Sequence, residues 1–292
     1  MEKFQTVSVD RVKNISKTDF LENYYHRQRP VLIEGLTEDW PAHAKWNLDY
    51  IQQRAGDQVV PLYDSKPTKG KQNSAAPATE MKLFDYLELL KNEPTDLRIF
   101  FYNILDSMPE LAEDFEYPDL GLKFFKRLPV MFFGGEGSKV LAHYDMDLAD
   151  LVHVHFHGTK SVTLFAPEQT KYLYRVPFSV HNLETIDMDK PDFEKYPALR
   201  NVQGIHAEMN HGDALYMPSG YWHYIKYNTG GFSITLRALP TKPQRLLKTA
   251  SNVLFMRNFE NLMRRTMGQK WVDYKENKMV RRVNKKYGKS AV

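Results

Sequence analysis

The chain has 292 residues, of which 42% are hydrophobic and 13% aromatic, enough for a sizeable core, and its charged fraction of 26% is ordinary. It contains no cysteine, which excludes disulfides, thiolate metal sites and cysteine nucleophiles. The net charge of +4 is unevenly spread: residues 241–292 carry 14 Lys and Arg against 3 Asp and Glu, while the first 240 carry 26 against 33. A basic tail on a mildly acidic body suits an anionic partner such as RNA, a ribosome or a membrane surface, or is a solvated helical face. No apolar run reaches the ~18 residues of a membrane span, and Met1–Gln5 lacks the pattern of a signal peptide, so a soluble, cytoplasmic protein is expected.

Residues 5–9 alternate as a short strand, and Ser16 opens a helix that runs through Phe20, Leu21, Tyr24 and Tyr25 to Arg29-Pro30. Val31–Ile33 reads as a buried strand, Leu48–Arg54 as a helix and Gln58–Tyr63 as a strand. Residues 64–79, rich in Lys, Ser, Pro, Gly and Ala, read as a mobile loop. Met81, Phe84, Leu87 and Leu90 fall at helical spacing and predict a helix over Glu80–Lys91. Arg98–Leu105 is aromatic and apolar enough for a central strand.

From Pro129 the pattern changes to short strands between turns: Val130–Phe133, Lys139–Asp145, Leu151–His157, Lys160–Phe165, the segment leading to His223, and Phe232–Leu239. Such spacing predicts an antiparallel sandwich or barrel. Pro240 and Pro243 divide a β-rich domain, 1–240, from a helical extension, 241–292. In that extension Leu246, Leu247, Ala250, Leu254 and Leu262 form an apolar stripe, and 269–287 forms a second helix. Such a pair cannot bury its stripe alone, so it is expected to pack on the body or on a second copy in a homodimer.

The chemistry concentrates in Val140–Lys160, which holds four of the ten histidines. Residues two apart on a strand point the same way, so His143 and Asp145 can grip one metal ion. A second histidine comes from Gly212-Asp213-Ala-Leu-Tyr-Met-Pro218-Ser-Gly220-Tyr-Trp-His223, where a tight turn fixes the start of the next strand. Two histidines and a carboxylate with open positions form the facial triad of non-haem iron oxygenases. Tyr144 and Trp222, beside the ligands, point the other way and are expected to pack.

These blocks, with Arg29-Pro-Val-Leu-Ile-Glu-Gly-Leu36, Trp40-Pro-Ala42 and Trp46, resemble the cupin-like, Jumonji-C-type Fe(II)/2-oxoglutarate oxygenases. The resemblance covers about residues 12 to 240, and the branch it points to holds the asparaginyl hydroxylase that inhibits hypoxia-inducible factor. It implies a mainly β fold, a double-stranded β-helix (cupin or jelly-roll) with helical decoration. It also implies Fe(II) on His143, Asp145 and His223, with 2-oxoglutarate and O2 as cosubstrates, succinate and CO2 as products, and a protein side chain or small molecule as the hydroxylated substrate. Lys160, after Gly158-Thr159, matches the basic residue that binds the far carboxylate of 2-oxoglutarate. His153 stands where relatives place an amide near the cosubstrate. Tyr102, or Phe100 or Phe101 in its stead, occupies the place of a phenol on that carboxylate, and Arg237 is a further candidate beside it. Val140 departs from the branch, which has a threonine there. Two other readings use the same residues: a metal-binding cupin without 2-oxoglutarate chemistry, and a non-catalytic module that binds through its basic tail.

Overall fold

The computed structural model describes residues 4–65 and 76–288; most of the loop expected over 64–79 lies outside them. The early strands are β1 (Gln5–Ser8), β2 (Asp10–Lys13), β3 (Val31–Glu34), β4 (Val59–Leu62), β5 (Thr79–Lys82) and β6 (Arg98–Asn103). The next four are β7 (Val130–Gly134), β8 (Lys139–His143), β9 (Asp150–His157) and β10 (Lys160–Phe165). The last four are β11 (Gln203–Met209), β12 (Ala214–Met217), β13 (Trp222–Tyr227) and β14 (Gly231–Ala238). Helices are α1 (Lys17–Phe20), continued by a wider turn over Leu21–Tyr25, then α2 (Pro41–Lys45), α3 (Leu48–Ala55), α4 (Leu83–Asn92) and α5 (Ile104–Ser107). The tail holds α6 (Pro243–Ala250), α7 (Arg257–Met267) and α8 (Gln269–Tyr287).

Two sheets face each other. One runs β1-β11-β10-β13-β8 and the other β2-β3-β12-β9-β14-β7-β6, with mostly antiparallel pairing. This is the mainly β, jelly-roll core with helical decoration. Side-chain alternation sets its faces. On β9, Val152, Val154 and Phe156 point outward into a core shared with Trp46, Tyr86 and the N-terminal helices. Leu151 points inward, toward Val162, Leu164 and Ile225 of the opposite sheet, and His153 and His155 share its side of the strand. Gly134 permits a close approach across the barrel, since a Cβ there would stand 2.4 Å from the Tyr227 ring. That ring in turn lies 5.3 Å from Lys160 Nζ.

A third core covers the outer face of the five-stranded sheet, where Tyr144 and Trp222 meet Leu173, Tyr174 and Leu199. Met279 and Val283 of α8 join it; burying side chains of this size contributes about 1.5–3 kcal/mol each. The link between α7 and α8 is ionic as well: Glu260 is buried against Arg264, Lys275 and the Trp271 indole. In contrast, Leu247 of α6, Leu254 and Phe255 of the wider turn Ser251–Met256, and Leu262 of α7 remain 72%, 68%, 63% and 56% exposed, so the stripe running from α6 to α7 is left uncovered by the described residues.

Three elements differ from the sequence expectation. β6 is the edge of its sheet, not its centre. Residues Thr79–Lys82 pair with β4, so the helix begins at Leu83; Met81 shares the helical spacing but lies in the strand, and Phe84 faces solvent. β8 ends at His143, which puts Asp145 in the turn after it rather than on the strand.

Candidate metal centre

His143 ends β8 and His223 lies directly opposite it on β13. The two Nε2 atoms are 3.0 Å apart, and Asp145 Oδ1 lies 3.7 Å from one and 3.8 Å from the other. These are the residues that can share one ion among the described His, Asp and Glu. The hydrogen bonds behind the rings decide what faces inward. His143 Nδ1 is 2.7 Å from the Leu141 carbonyl and His223 Nδ1 is 3.4 Å from the Tyr221 carbonyl. A carbonyl only accepts, so each Nδ1 is placed to donate and each Nε2 is left facing the other ring. Two lone pairs at that separation repel unless a cation lies between them. Ligand nitrogens at right angles, each about 2.1 Å from a common ion, are themselves about 3 Å apart, so the pair fits a metal.

Electrostatics suit the same purpose. Burial pushes His223 down to about 3, with the neighbouring His143 adding to the shift, so its imidazole is neutral and ready to ligate. Burial alone would raise the Asp145 carboxyl, but Arg237, with His223 and His143, holds it far below the usual carboxylate range. Arg237 donates to Asp145 Oδ2 at 2.5 Å and to both oxygens of Asp147 at 3.0 Å. The guanidinium therefore fixes the outer oxygen of Asp145 while Oδ1 turns to the histidines. Asp147 had no assigned role in the sequence; the only signal for it is its place two residues beyond Asp145.

At the start of β10, opposite Tyr227 of β13, Lys160 is fully buried and donates to Ser233 Oγ and His153 Nε2. No carboxylate pairs with it among the described residues. Burial drives its pKa well below the ordinary lysine value. His153 is held neutral by burial and by the Lys160 charge, and its Nδ1 reaches Thr235 Oγ1 at 2.6 Å. His155 bonds Ser233 at 2.8 Å and leaves its buried Nε2 without a partner. His157 stacks on Phe232 at the strand end. The chamber is thus a polar pocket with one cation and room in its chemistry for one anion.

Tyr102 does not join these groups. A bulge between Ile99 and Tyr102 breaks the alternation of β6, and Tyr102 turns into the outer core with its hydroxyl on Gln58. Phe100 and Phe101 take the extra positions; Phe101 has φ +63°, in the left-handed region, and its ring lies 5.9 Å from the Arg237 guanidinium. Phe132, beside Phe100, lies 6.2 Å from the His153 ring. A cleft of about 680 Å³ opens between this edge and β8, lined in part by Tyr63, Arg98, Lys139, Leu141 and His181.

Residues 17–263 match a family model described as a cupin-like domain. The chain is 30% identical over 240 residues to the tRNA wybutosine-synthesizing protein 5 of Gallus gallus, covering 75% of this chain and 73% of that protein. To the Mus musculus protein of the same name it is 26% identical over 255 residues, covering 80% and 78%. To the Lysine-specific demethylase 8 of Danio rerio it is 27% identical over 237 residues, covering 79% of this chain and 58% of the demethylase. The chain thus spans little more than half the length of that relative. The matched segment takes in both sheets except their edge strands β1 and β2, along with His143, Asp145 and His223, and the chain belongs to the cupin-like, Jumonji-C-type family.

Proposed function

We propose that the chain is an Fe(II)- and 2-oxoglutarate-dependent oxygenase that hydroxylates a protein side chain or a small molecule. The observation that carries this reading is the pair of opposed Nε2 atoms beside Asp145, together with a buried Lys160 in the same interior that has no carboxylate partner among the described residues. His143, Asp145 and His223 would hold Fe(II), and Lys160 would hold the far carboxylate of 2-oxoglutarate. When bound, the metal supplies O2 activation coupled to decarboxylation of 2-oxoglutarate to succinate and CO2. The chain supplies position and dryness. Arg237 keeps Asp145 ionised and oriented, and neutral His153 accepts a hydrogen bond from Lys160 and so holds the ammonium in place. Phe100, Phe101 and Phe132 shield the approach from the side of β6. A Jumonji-C-type relative named for tRNA modification and another named for lysine demethylation are both consistent with an oxygenase, and they leave the substrate class open between them.

Mixed anaerobically with Fe(II) and 2-oxoglutarate, the protein is expected to show a weak visible metal-to-ligand band, and to form succinate once O2 is admitted. Metal binding with neither band nor succinate would identify a cupin of different metal chemistry. The uncovered stripe of α6 and α7 supports a second copy of the chain as its cover, since it exposes more large apolar side chains than a free surface helix keeps. Light scattering should then give a dimer for the native chain and a monomer for Leu254→Asp/Phe255→Asp; a native monomer at micromolar concentration removes the dimer.

A further inference from the structure

The outer side of the five-stranded sheet carries a second cleft, of about 430 Å³, between the turn Pro167–Lys171 and α8. Lys171, Arg175, Arg282 and Lys286 line it, and Glu168 is the one carboxylate among the lining residues. All four cations are exposed, and none makes an ion pair among the described residues. The cationic surface continues along the helix. Residues 277–288 contain Lys278, Arg281, Arg282, Lys285 and Lys286 and no Asp or Glu. Lys278, Arg282 and Lys286 follow one another at four-residue steps and so form a row about 12 Å long. The adjoining face of α8 is already used, with Met279 and Val283 in the core.

Like charges this close repel, and a helix face gains nothing from them unless an anion arrives. Composition does not explain the cluster, because the first 240 residues carry more Asp and Glu than Lys and Arg. Two of the four cations come from that acidic body rather than from the basic tail. The cleft is also a built feature. Arg175 Nη1 donates to the Tyr144 hydroxyl at 3.0 Å, and Trp222 Nε1 donates to Thr170 Oγ1 at 2.8 Å. Tyr144 and Trp222, which pack edge to face at 5.1 Å, are the outward-facing neighbours of metal-facing residues. Tyr172 and Tyr287 meet at 5.3 Å beside the basic residues and add an aromatic surface.

The geometry points to this cleft and the row along α8 as a docking site for a nucleic-acid strand, bound through its phosphates. A single phosphate would use the cleft and leave Lys278, Arg281 and Lys285 idle, whereas a strand offers charges in series. Aromatic rings interleaved with cations also suit bases, which stack without sequence preference. A membrane surface fits less well, since α8 has spent its apolar face inside the protein. The acidic body confines the strand to this side. The inference does not rest on the oxygenase reading, because the site lies behind the metal centre and uses none of its residues.

Fluorescence anisotropy of a labelled single-stranded RNA of mixed sequence, titrated with the full chain without iron at several salt concentrations, tests it. Arg282→Glu/Lys286→Glu is expected to weaken binding by about tenfold or more at low salt, and to flatten the plot of log affinity against log salt by about 1.4, as two lost phosphate contacts require. Lys171→Glu, outside the tail, is expected to weaken binding as well. Lys123→Glu/Arg127→Glu, an equal charge change on exposed residues elsewhere, is expected to leave it unchanged. Equal losses in both double variants would reduce the effect to net charge, and unchanged binding by the Arg282/Lys286 variant would exclude the cleft; either overturns the proposal. So would stabilisation by inorganic phosphate or capture on phosphatidylserine vesicles with no RNA binding. Circular dichroism melts of the variants separate lost binding from lost fold.

Discussion

Asp145→Ala is expected to abolish 2-oxoglutarate turnover and to weaken binding of Co(II) or Mn(II), used as probes of the iron site, by more than about a hundredfold. Loss of a residue behind a metal ligand already costs about 10–100-fold, and Asp145 offers a ligand atom itself. Its removal leaves two imidazoles, which bind a hard divalent ion poorly without a carboxylate. Arg237 retains Asp147 in this variant, with contacts at 3.0 Å, so its charge stays paired and the fold should survive. Calorimetric titration together with a succinate assay checks both halves. Undiminished metal affinity in Asp145→Ala would remove the triad assignment altogether.

Arg237→Met probes the same point from behind and should give an intermediate result. Without the guanidinium, Asp145 and Asp147 face each other with no cation between them. The metal-free variant should therefore melt at lower temperature, and added Co(II) should recover part of the loss by replacing the missing positive charge. If Arg237 served only to pack, metal would stabilise the variant and the native protein equally.

The difference between these residues also shows what the sequence carries. His143 and His223 were legible because a strand and a tight turn fix them locally, and the Gly-Asp…His block has few alternative readings. Lys160 was singled out through the family resemblance, and its burial was not legible from the Gly-Thr turn before it. Arg237 was visible as a polar residue on an inward face, but its partner was not. Pairing with Asp145 and Asp147 depends on the chain leaving β8 at His143, and nothing in the alternation marks that point. Tyr102 shows the same limit in sharper form. A one-residue bulge at Phe100 and Phe101 reverses every later face of β6, and a pattern of period two cannot register it. Met81 aligned with Phe84 and Leu87 by chance of spacing, although its neighbours pair as a strand. The basic cleft lay furthest from sequence reach, because Lys171 and Arg175 meet Arg282 and Lys286 only through tertiary packing.

Lys160→Met should move function and stability in opposite directions. In the folded chain Lys160 has lost its water and gained Ser233, His153 and the Tyr227 ring 5.3 Å away but no carboxylate among the described residues, so its charged form is poorly compensated. An apolar side chain of similar volume removes that penalty, and the variant without cosubstrate should melt at higher temperature than the native protein. The sign follows from proton linkage. The folded-state pKa lies below the unfolded value, so the unfolded chain binds more protons between the two, and native stability rises with pH across that window. The advantage of Lys160→Met should accordingly be largest below the folded pKa and vanish as pH approaches about 10.4. For 2-oxoglutarate the change runs the other way. Removing one partner of a buried ion pair costs about 3–5 kcal/mol, or about two to three and a half powers of ten in affinity. Metal affinity should not change, since Lys160 makes no hydrogen bond to His143, Asp145 or His223. A bound carboxylate favours the ammonium, so binding to the native protein should take up a proton wherever Lys160 is neutral beforehand. Titration calorimetry in buffers of different ionisation heat reads that proton directly, and affinity should fall as pH rises. Unaltered 2-oxoglutarate affinity in Lys160→Met, with no proton uptake by the native chain, would place the cosubstrate carboxylate elsewhere.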